Sequence, residues 1–183
     1  MRNSILICAA VGVFAACAVF AQMKGRGGPP LSPAAQADVT IAGKAIGIKY
    51  SAPSVRGRQI FGEGGLVSKD KTAPVWRAGA NSATALHTDA ALVIKGLTVP
   101  AGDYTLFVLP TTTPWQLIVN KQTGQWGLSY DQAQDLGRVP MDMSKPPAQI
   151  ETLKYTLSST GASAGKLQLE WDNYIASVPF TVK

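Results

Sequence analysis

Three of the six arginines in this 183-residue chain fall within Tyr50–Thr84, a stretch with few aliphatic residues. Arg56 and Arg58 flank Gly57. In an extended chain, residues two apart share a face, so both guanidinium groups can aim at one anion while Gly57 lets it approach the backbone. The competing reading pairs one of them with an internal carboxylate. Arg77 follows Trp76 and precedes Ala78-Gly79-Ala80-Asn81, a tight bend in which Asn adopts the left-handed conformation and offers both a donor and an acceptor. If Trp76-Arg77 is extended, the two point to opposite faces and Trp76 belongs to the core. Asn81 either joins Arg77 on a ligand or only closes the turn. Asp131, Asp135 and Arg138 stand at i, i+4 and i+7, so a helical turn there sets Asp135 beside Arg138. Arg56, Arg58, Arg77, Asn81, Asp135 and Arg138 form the candidate binding set, with Arg58 assigned to a ligand and Arg77 to an internal carboxylate such as Asp135.

Other chemistries have little support. His87 is the single histidine, and a metal centre would have to be completed by carboxylates alone, which suits zinc and copper poorly; no metal and no cofactor is expected. His87 reads as a packed or surface residue. No Gly-x-Ser-x-Gly elbow, His-Glu-x-x-His or phosphate loop occurs. Glycoside hydrolysis needs two acids facing each other across a cleft, which Asp103 or Glu151 would have to complete in space. Whether the protein is an enzyme stays open.

The elements that must position these residues are short β-branched and aromatic runs separated by Gly, Pro, Asn and Asp, with no helical apolar period. Expected strands are Val39–Ile41, Ala45–Tyr50, Val75–Arg77, Thr84–His87, Ala91–Ile94, Tyr104–Leu109, Gln116–Asn120, Ile150–Ser158, Lys166–Trp171 and Ile175–Val182. Tyr104–Leu109 is apolar on both faces, as a central strand requires. Pro179 assigns the last run to an edge or a bulge. The pattern predicts an all-β protein, an antiparallel β-sandwich forming a single domain with little helix, Asp131–Leu136 being the one helical turn.

The domain is expected from residue 38 to residue 183. Residues 1–21 carry a positive Arg2, an apolar run from Ile5 to Phe20 and a small-residue end at Ala21, the features of an export signal. Two processing routes stay open: cleavage after Ala21, or lipidation of Cys17 behind Phe14-Ala15-Ala16. Both cysteines, Cys8 and Cys17, lie in this leader, so a chain starting at Gln22 has no thiol chemistry and no disulfide. Residues 22–37, rich in Gly, Pro, Ala and Gln, read as a flexible tether. An apolar fraction of 46% against 15% charged residues excludes disorder over most of the length. The net charge of +6 loses only Arg2 with the leader. A basic protein in the periplasm, or secreted, meets anionic glycans, phosphate groups or other small polar ligands rather than nucleic acid, and a membrane only if Cys17 is lipidated.

Tyr50-Ser51, Pro53-Ser54-Val55-Arg56-Gly57-Arg58, Ile60-Phe61-Gly62, Val75-Trp76-Arg77, Gly79-Ala80-Asn81, Pro100-Ala101-Gly102 with Tyr104, Asn120-Lys121, Gln125-Trp126-Gly127 and Asp135 with Arg138-Val139 follow in the order seen in the bacterial domain-of-unknown-function family 2911, which the chain resembles from about Ser32 to its C-terminus. The segment Glu63–Ala73 looks longer than is usual there. The resemblance implies an exported, uncharacterised domain and assigns no activity.

Taken together, these features favour a non-catalytic binding module that presents its arginine-rich loop to an anionic or polyhydroxylated envelope ligand. A carboxylate-dependent hydrolase and a structural or assembly protein of the envelope are the alternatives. For processing, intact-mass measurement of the exported protein should find its N-terminus at Gln22. A diacylglycerol mass on a chain starting at Cys17 would overturn that and move the protein to a membrane surface.

Overall fold

The computed structural model describes residues 31–111 and 113–183. The expected leader with Cys17, and the first part of the expected tether, lie outside the described residues.

The fold is all-β. Its strands are β1 (Ala34–Ile41), β2 (Lys44–Ser51), β3 (Thr84–Thr88), β4 (Leu92–Ile94), β5 (Leu97–Val99), β6 (Gly102–Leu109), β7 (Gln116–Asn120), β8 (Asp135–Pro140), β9 (Asp142–Ser144), β10 (Ile150–Ser159), β11 (Ala164–Asp172) and β12 (Tyr174–Val182). They form two antiparallel sheets, β1-β2-β3-β6-β7-β8 and β10-β11-β12-β4-β5, with β9 added alongside β12. Helical structure among the described residues is limited to two 3-10 turns, Val67–Lys69 and Gln132–Gln134.

Alternation decides which side chains meet. Ile46, Ile48, Leu86, Leu106 and Val119 from the first sheet face Leu153, Leu169, Trp171 and Val178 from the second, all buried in one cluster. The expected central strand is β6, which lies between β3 and β7. Its second apolar face is accounted for by a small outer cluster, in which Phe107 packs with Ile118 and Val75 and is edged by Tyr130 at 4.9 Å.

Four local expectations are revised. First, β1 begins at Ala34, four residues ahead of Asp38. Its inward positions include the small Ala35 and Ala37, so backbone pairing with β2, Ala34 opposite Ser51 onward, extends the strand where the hydrophobic pattern is faint. Second, Val75–Arg77 makes a single bridge, Trp76 to Val108, instead of a strand. Third, β5, β8 and β9 had not been expected. The β4–β5 hairpin turns through Lys95-Gly96, both at positive φ (45° and 91°), which matches the right-handed strand twist without the usual Asn-Gly signature. Fourth, β12 is an interior strand. Its outer side is paired in two pieces, β9 against Ile175–Ser177 and β4 against Phe180–Val182, and Pro179 sits in the gap, where its missing N–H breaks no ladder bond on that side.

Gly165 in β11 is where the two sheets approach closely. A methyl group there would stand 2.6 Å from Ile41 Cδ1 and 2.7 Å from Phe180 Cε2, both on buried side chains. Gly165→Ala should therefore cost about 1–3 kcal/mol through overpacking, read from chemical denaturation. An unchanged midpoint would show that the sheets can part freely.

Candidate functional site

The long connection from β2 to β3, residues 52–83, carries four of the six candidate residues. It first runs beside β10, where Val55 N donates to Glu151 O at 2.8 Å and Leu153 N to Pro53 O at 2.9 Å. It then inserts Ile60 and Phe61 into the core, makes the 3-10 turn Val67–Lys69, and returns along β6, with Trp76 and Val108 exchanging two hydrogen bonds of 2.8 Å.

Arg56 and Arg58 do not share a face. Residues 55–58 close a turn, Arg58 N donating to Val55 O at 3.0 Å, with Arg56 at φ 51° and Gly57 at φ 65°. Arg56 donates through its backbone N to Glu151 Oε1 (2.9 Å) and through Nη2 to Leu31 O (2.9 Å). Arg58 turns the other way. Its Nε donates to Val55 O (3.0 Å) and its Nη2 to Ser54 O (2.6 Å), carbonyls that fix the guanidinium without neutralising it.

Arg58 and Arg77 instead converge on one cavity of about 220 Å³, lined also by Ser32, Asp70, Trp76 and Trp171. Arg77 Nη1 lies 3.2 Å from Asp70 Oδ2, with both side chains largely shielded. The expected partner Asp135 is elsewhere: the irregular stretch after the 3-10 turn supplies Asp70, and nothing in the spacing of the sequence marks it. The approach is ionic and lies off the hydrogen-bond direction, so Arg77 Nε and Nη1 are buried without a hydrogen-bond partner among the described residues. The stem of Arg77 lies on Gly127, where a Cβ would overlap Arg77 Cδ and stand 2.5 Å from Asn81 O. Only glycine fits there.

Asn81 closes its turn. It sits at φ 59°, accepts from Gly127 N (3.0 Å) through its carbonyl, and points Nδ2 to Ser51 Oγ at 3.3 Å. It adjoins Arg77 without lining the cavity.

Asp135 and Arg138 do meet, on a strand rather than a helix. Only Gln132–Gln134 is helical, capped by the Asp131 side chain accepting from Ala133 N. Three residues apart on a regular strand, Asp135 and Arg138 would face opposite ways. An extra residue in β8 opposite β7, with Asn120 paired to Asp135 and Val119 to Gly137, restores both to the outer face. Asp135 Oδ1 accepts from Asn120 Nδ2 (2.9 Å), and Oδ2 accepts from Tyr130 OH (2.7 Å) and from Arg138 Nε (3.0 Å) and Nη2 (2.8 Å). Burial, reinforced by the hydrogen bond to Asp135, pushes the Tyr130 phenol up to about 12. Every partner is internal. This is a structural network that pins the loop between β7 and β8.

His87 is exposed on the outer face of the first sheet and held between two carboxylates, Nδ1 at 2.7 Å from Asp103 Oδ1 and Nε2 at 3.1 Å from Asp89 Oδ1. The hydrogen bond to Asp103 first, and that to Asp89 second, raise its pKa above the ordinary histidine value. Among the described residues no group of three or more His, Cys, Asp or Glu side chains is disposed to hold a metal ion.

Residues 32–180 match the family described as "protein of unknown function (DUF2911)". Neither a curated protein nor a solved structure matches the chain.

The Asp135 network gives a direct test of its structural role. Asp135→Asn leaves the part-buried Arg138 without its counter-charge. It should cost about 2–3 kcal/mol, between the worth of a charge-assisted hydrogen bond and that of a fully buried ion pair, measured by denaturant unfolding at neutral pH. A change under half a kcal/mol or so would mean that solvent already screens the pair.

Proposed function

The chain belongs to the DUF2911 family of proteins of unknown function, and because that membership names no chemistry we propose from the cavity itself that the protein is a non-catalytic binding module for a small anionic group. Two guanidinium groups from separate parts of one connection face a cavity whose lining includes a single carboxylate, Asp70. That is the observation that carries the reading. Asp70 offsets Arg77 and, among the described residues, leaves the charge of Arg58 uncompensated, since Arg58 there bonds only to backbone carbonyls. Arginine's planar fork suits phosphate, sulfate and carboxylate oxygens. At about 220 Å³ the space admits one such group rather than a whole polymer.

One acid in the lining also argues against acid–base hydrolysis, which needs two groups of opposed protonation. An exported domain would meet the anion as a phosphate or as a charged substituent of an envelope glycan.

Thermal melts with and without sulfate, phosphate and glucuronate test this. A bound anion should raise the melting temperature with concentration, by about 2.7 kcal/mol of stability at one hundred times Kd. Arg58→Ala should abolish that shift while costing little in the anion-free protein. Arg77→Ala should lower stability on its own, because it strips Asp70 of its partner. Anion protection that survives Arg58→Ala would overturn the assignment.

A further inference from the structure

A second, larger recess lies on the outer face of the first sheet and shares no lining residue with the arginine cavity. One cavity of about 590 Å³ and another of about 280 Å³ share Lys49 and Ala85 in their linings, so they form one groove running along β2 and β3. The pairing register explains why a sheet face is hollow here. Asp38, Gly47, His87 and Asp103 stand in one row across β1, β2, β3 and β6, and Gln36, Lys49, Ala85 and Thr105 in the next. Gly47 and Ala85 therefore place two of the smallest side chains on the neighbouring central strands, and longer ones rise on either side.

The Asp38 carboxylate leans over Gly47, whose added Cβ would lie 2.6 Å from Asp38 Oδ1. On the other side the loop after β7 folds back, Thr105 Oγ1 donating to Gln122 O at 2.7 Å, and supplies Thr123, Gly124 and Gln125 as a wall. The β2 residues of the lining run from Ala45 to Ser51, a length of about 20 Å at 3.3 Å per residue. That is room for a chain of linked rings.

We propose that this groove binds a neutral, linear, hydroxyl-rich chain, an oligosaccharide. The floor excludes recognition by strand addition, because its backbone groups are already spent in the β1-β2-β3-β6 ladders. A ligand is therefore held by side chains. Those side chains alternate in sign and in donor and acceptor character. Asp38 and the second oxygen of Asp103 accept, the exposed Lys49 ammonium donates, and His87, paired beside Asp103 on the next strand, holds its first oxygen. Mixed charge favours hydroxyl groups, which both donate and accept, over an ion of either sign.

At the far end Gln125 keeps Nε2 buried without a hydrogen-bond partner among the described residues, and its Oε1 lies a long 3.4 Å from Thr105 Oγ1. A donor in that state gains free energy from any hydroxyl it can turn to meet. The next residue, Trp126, is 58% exposed and bridges to Ser82, which lines this end of the groove, although its own side chain is not part of either lining.

The test titrates the isotope-labelled full chain with cellotetraose, maltotetraose and chitotetraose at millimolar concentrations, following amide shifts, the His87 ring signals and tryptophan fluorescence. At least one of the three should give saturable shifts centred on Gly47, Ala85 and Gln125. Ala85→Tyr fills the groove from an exposed position without touching the core, and should weaken that binding about tenfold or more. If its melting temperature falls, Lys49→Ala and Gln125→Ala replace it, and each should weaken binding. No saturable shift with any of the three sugars would overturn the proposal. So would shifts confined to the Arg58–Arg77 cavity, binding unchanged in a normally folded Ala85→Tyr, or shifts of the groove amides that depend on protein concentration alone, which would mark a self-association face.

Discussion

Phe61 is the point on which the arrangement turns. Its ring lies between 4.7 and 5.8 Å from those of Trp76, Trp115, Trp171 and Tyr174. Trp76 and Trp171 stack on one another at 5.6 Å. Edge-on and offset contacts of this kind contribute beyond simple burial, and here they fasten a connection that has almost no regular structure of its own. Residues 52–83 would otherwise be a long loop free to sample many paths, with a backbone ordering cost of about 1–2 kcal/mol per residue. The aromatic cluster, the strip of pairing with β10 and the Trp76–Val108 bridge hold it across the end of the sandwich. The arginine cavity depends on that fastening, because Trp76 and Trp171 form part of its wall. The same cluster walls another cavity of about 400 Å³, lined by Phe61, Trp115 and Tyr174.

The two ion pairs that involve the candidate residues, Asp135–Arg138 and Asp70–Arg77, differ in completeness. Asp135 accepts four hydrogen bonds and its arginine also reaches Tyr130 OH, so the pair is closed on itself. A buried polar network with every member satisfied stiffens its surroundings and has nothing left to offer a ligand. Among the described residues, Arg77 has one carboxylate oxygen nearby and two buried nitrogens without hydrogen bonds. A charged group left in that state is costly unless something else serves it. Its neighbour across the cavity, Arg58, is fixed by carbonyls alone. Burial and charge therefore leave the Arg58–Arg77 end incompletely paired and the Asp135–Arg138 end closed on itself.

Backbone conformation at the loop follows the same economy. Ala78 is buried at φ 53°, a region that L-residues avoid. It is retained because its carbonyl accepts from both Thr84 Oγ1 and Tyr155 OH at 3.0 Å, two partners from different sheets. Those bonds set the direction in which Arg77 leaves the core, one residue earlier. A strained residue held by two sheets positions the side chain that lines the cavity.

Much of this was legible in the residues alone. The alternation of Leu167, Leu169 and Trp171, the doubly apolar Tyr104–Leu109 and the absence of a helical period determine an antiparallel all-β fold, because a two-residue period can bury one face only in a sheet. The order of short motifs determines the family. Asn81 as a turn residue and Trp76 in the core also follow from local chemistry, whereas Asp135 meets Arg138 through the extra residue in β8 and not through the helical turn that the spacing suggested. Contacts set by distant chain segments were not legible. Arg56 and Arg58 part company because a turn replaces the extended chain, and that turn is held by β10, about a hundred residues on. Asp70 becomes the partner of Arg77 through the path of an irregular loop, which carries no period to read. The outer groove arises because register sets Gly47 and Ala85 on adjacent strands, and register belongs to pairs of strands rather than to either one. Sequence determined which faces are apolar; tertiary structure decided which of the loop's turns close and which charges share a cavity, since both depend on where separate strands and loops are brought to meet.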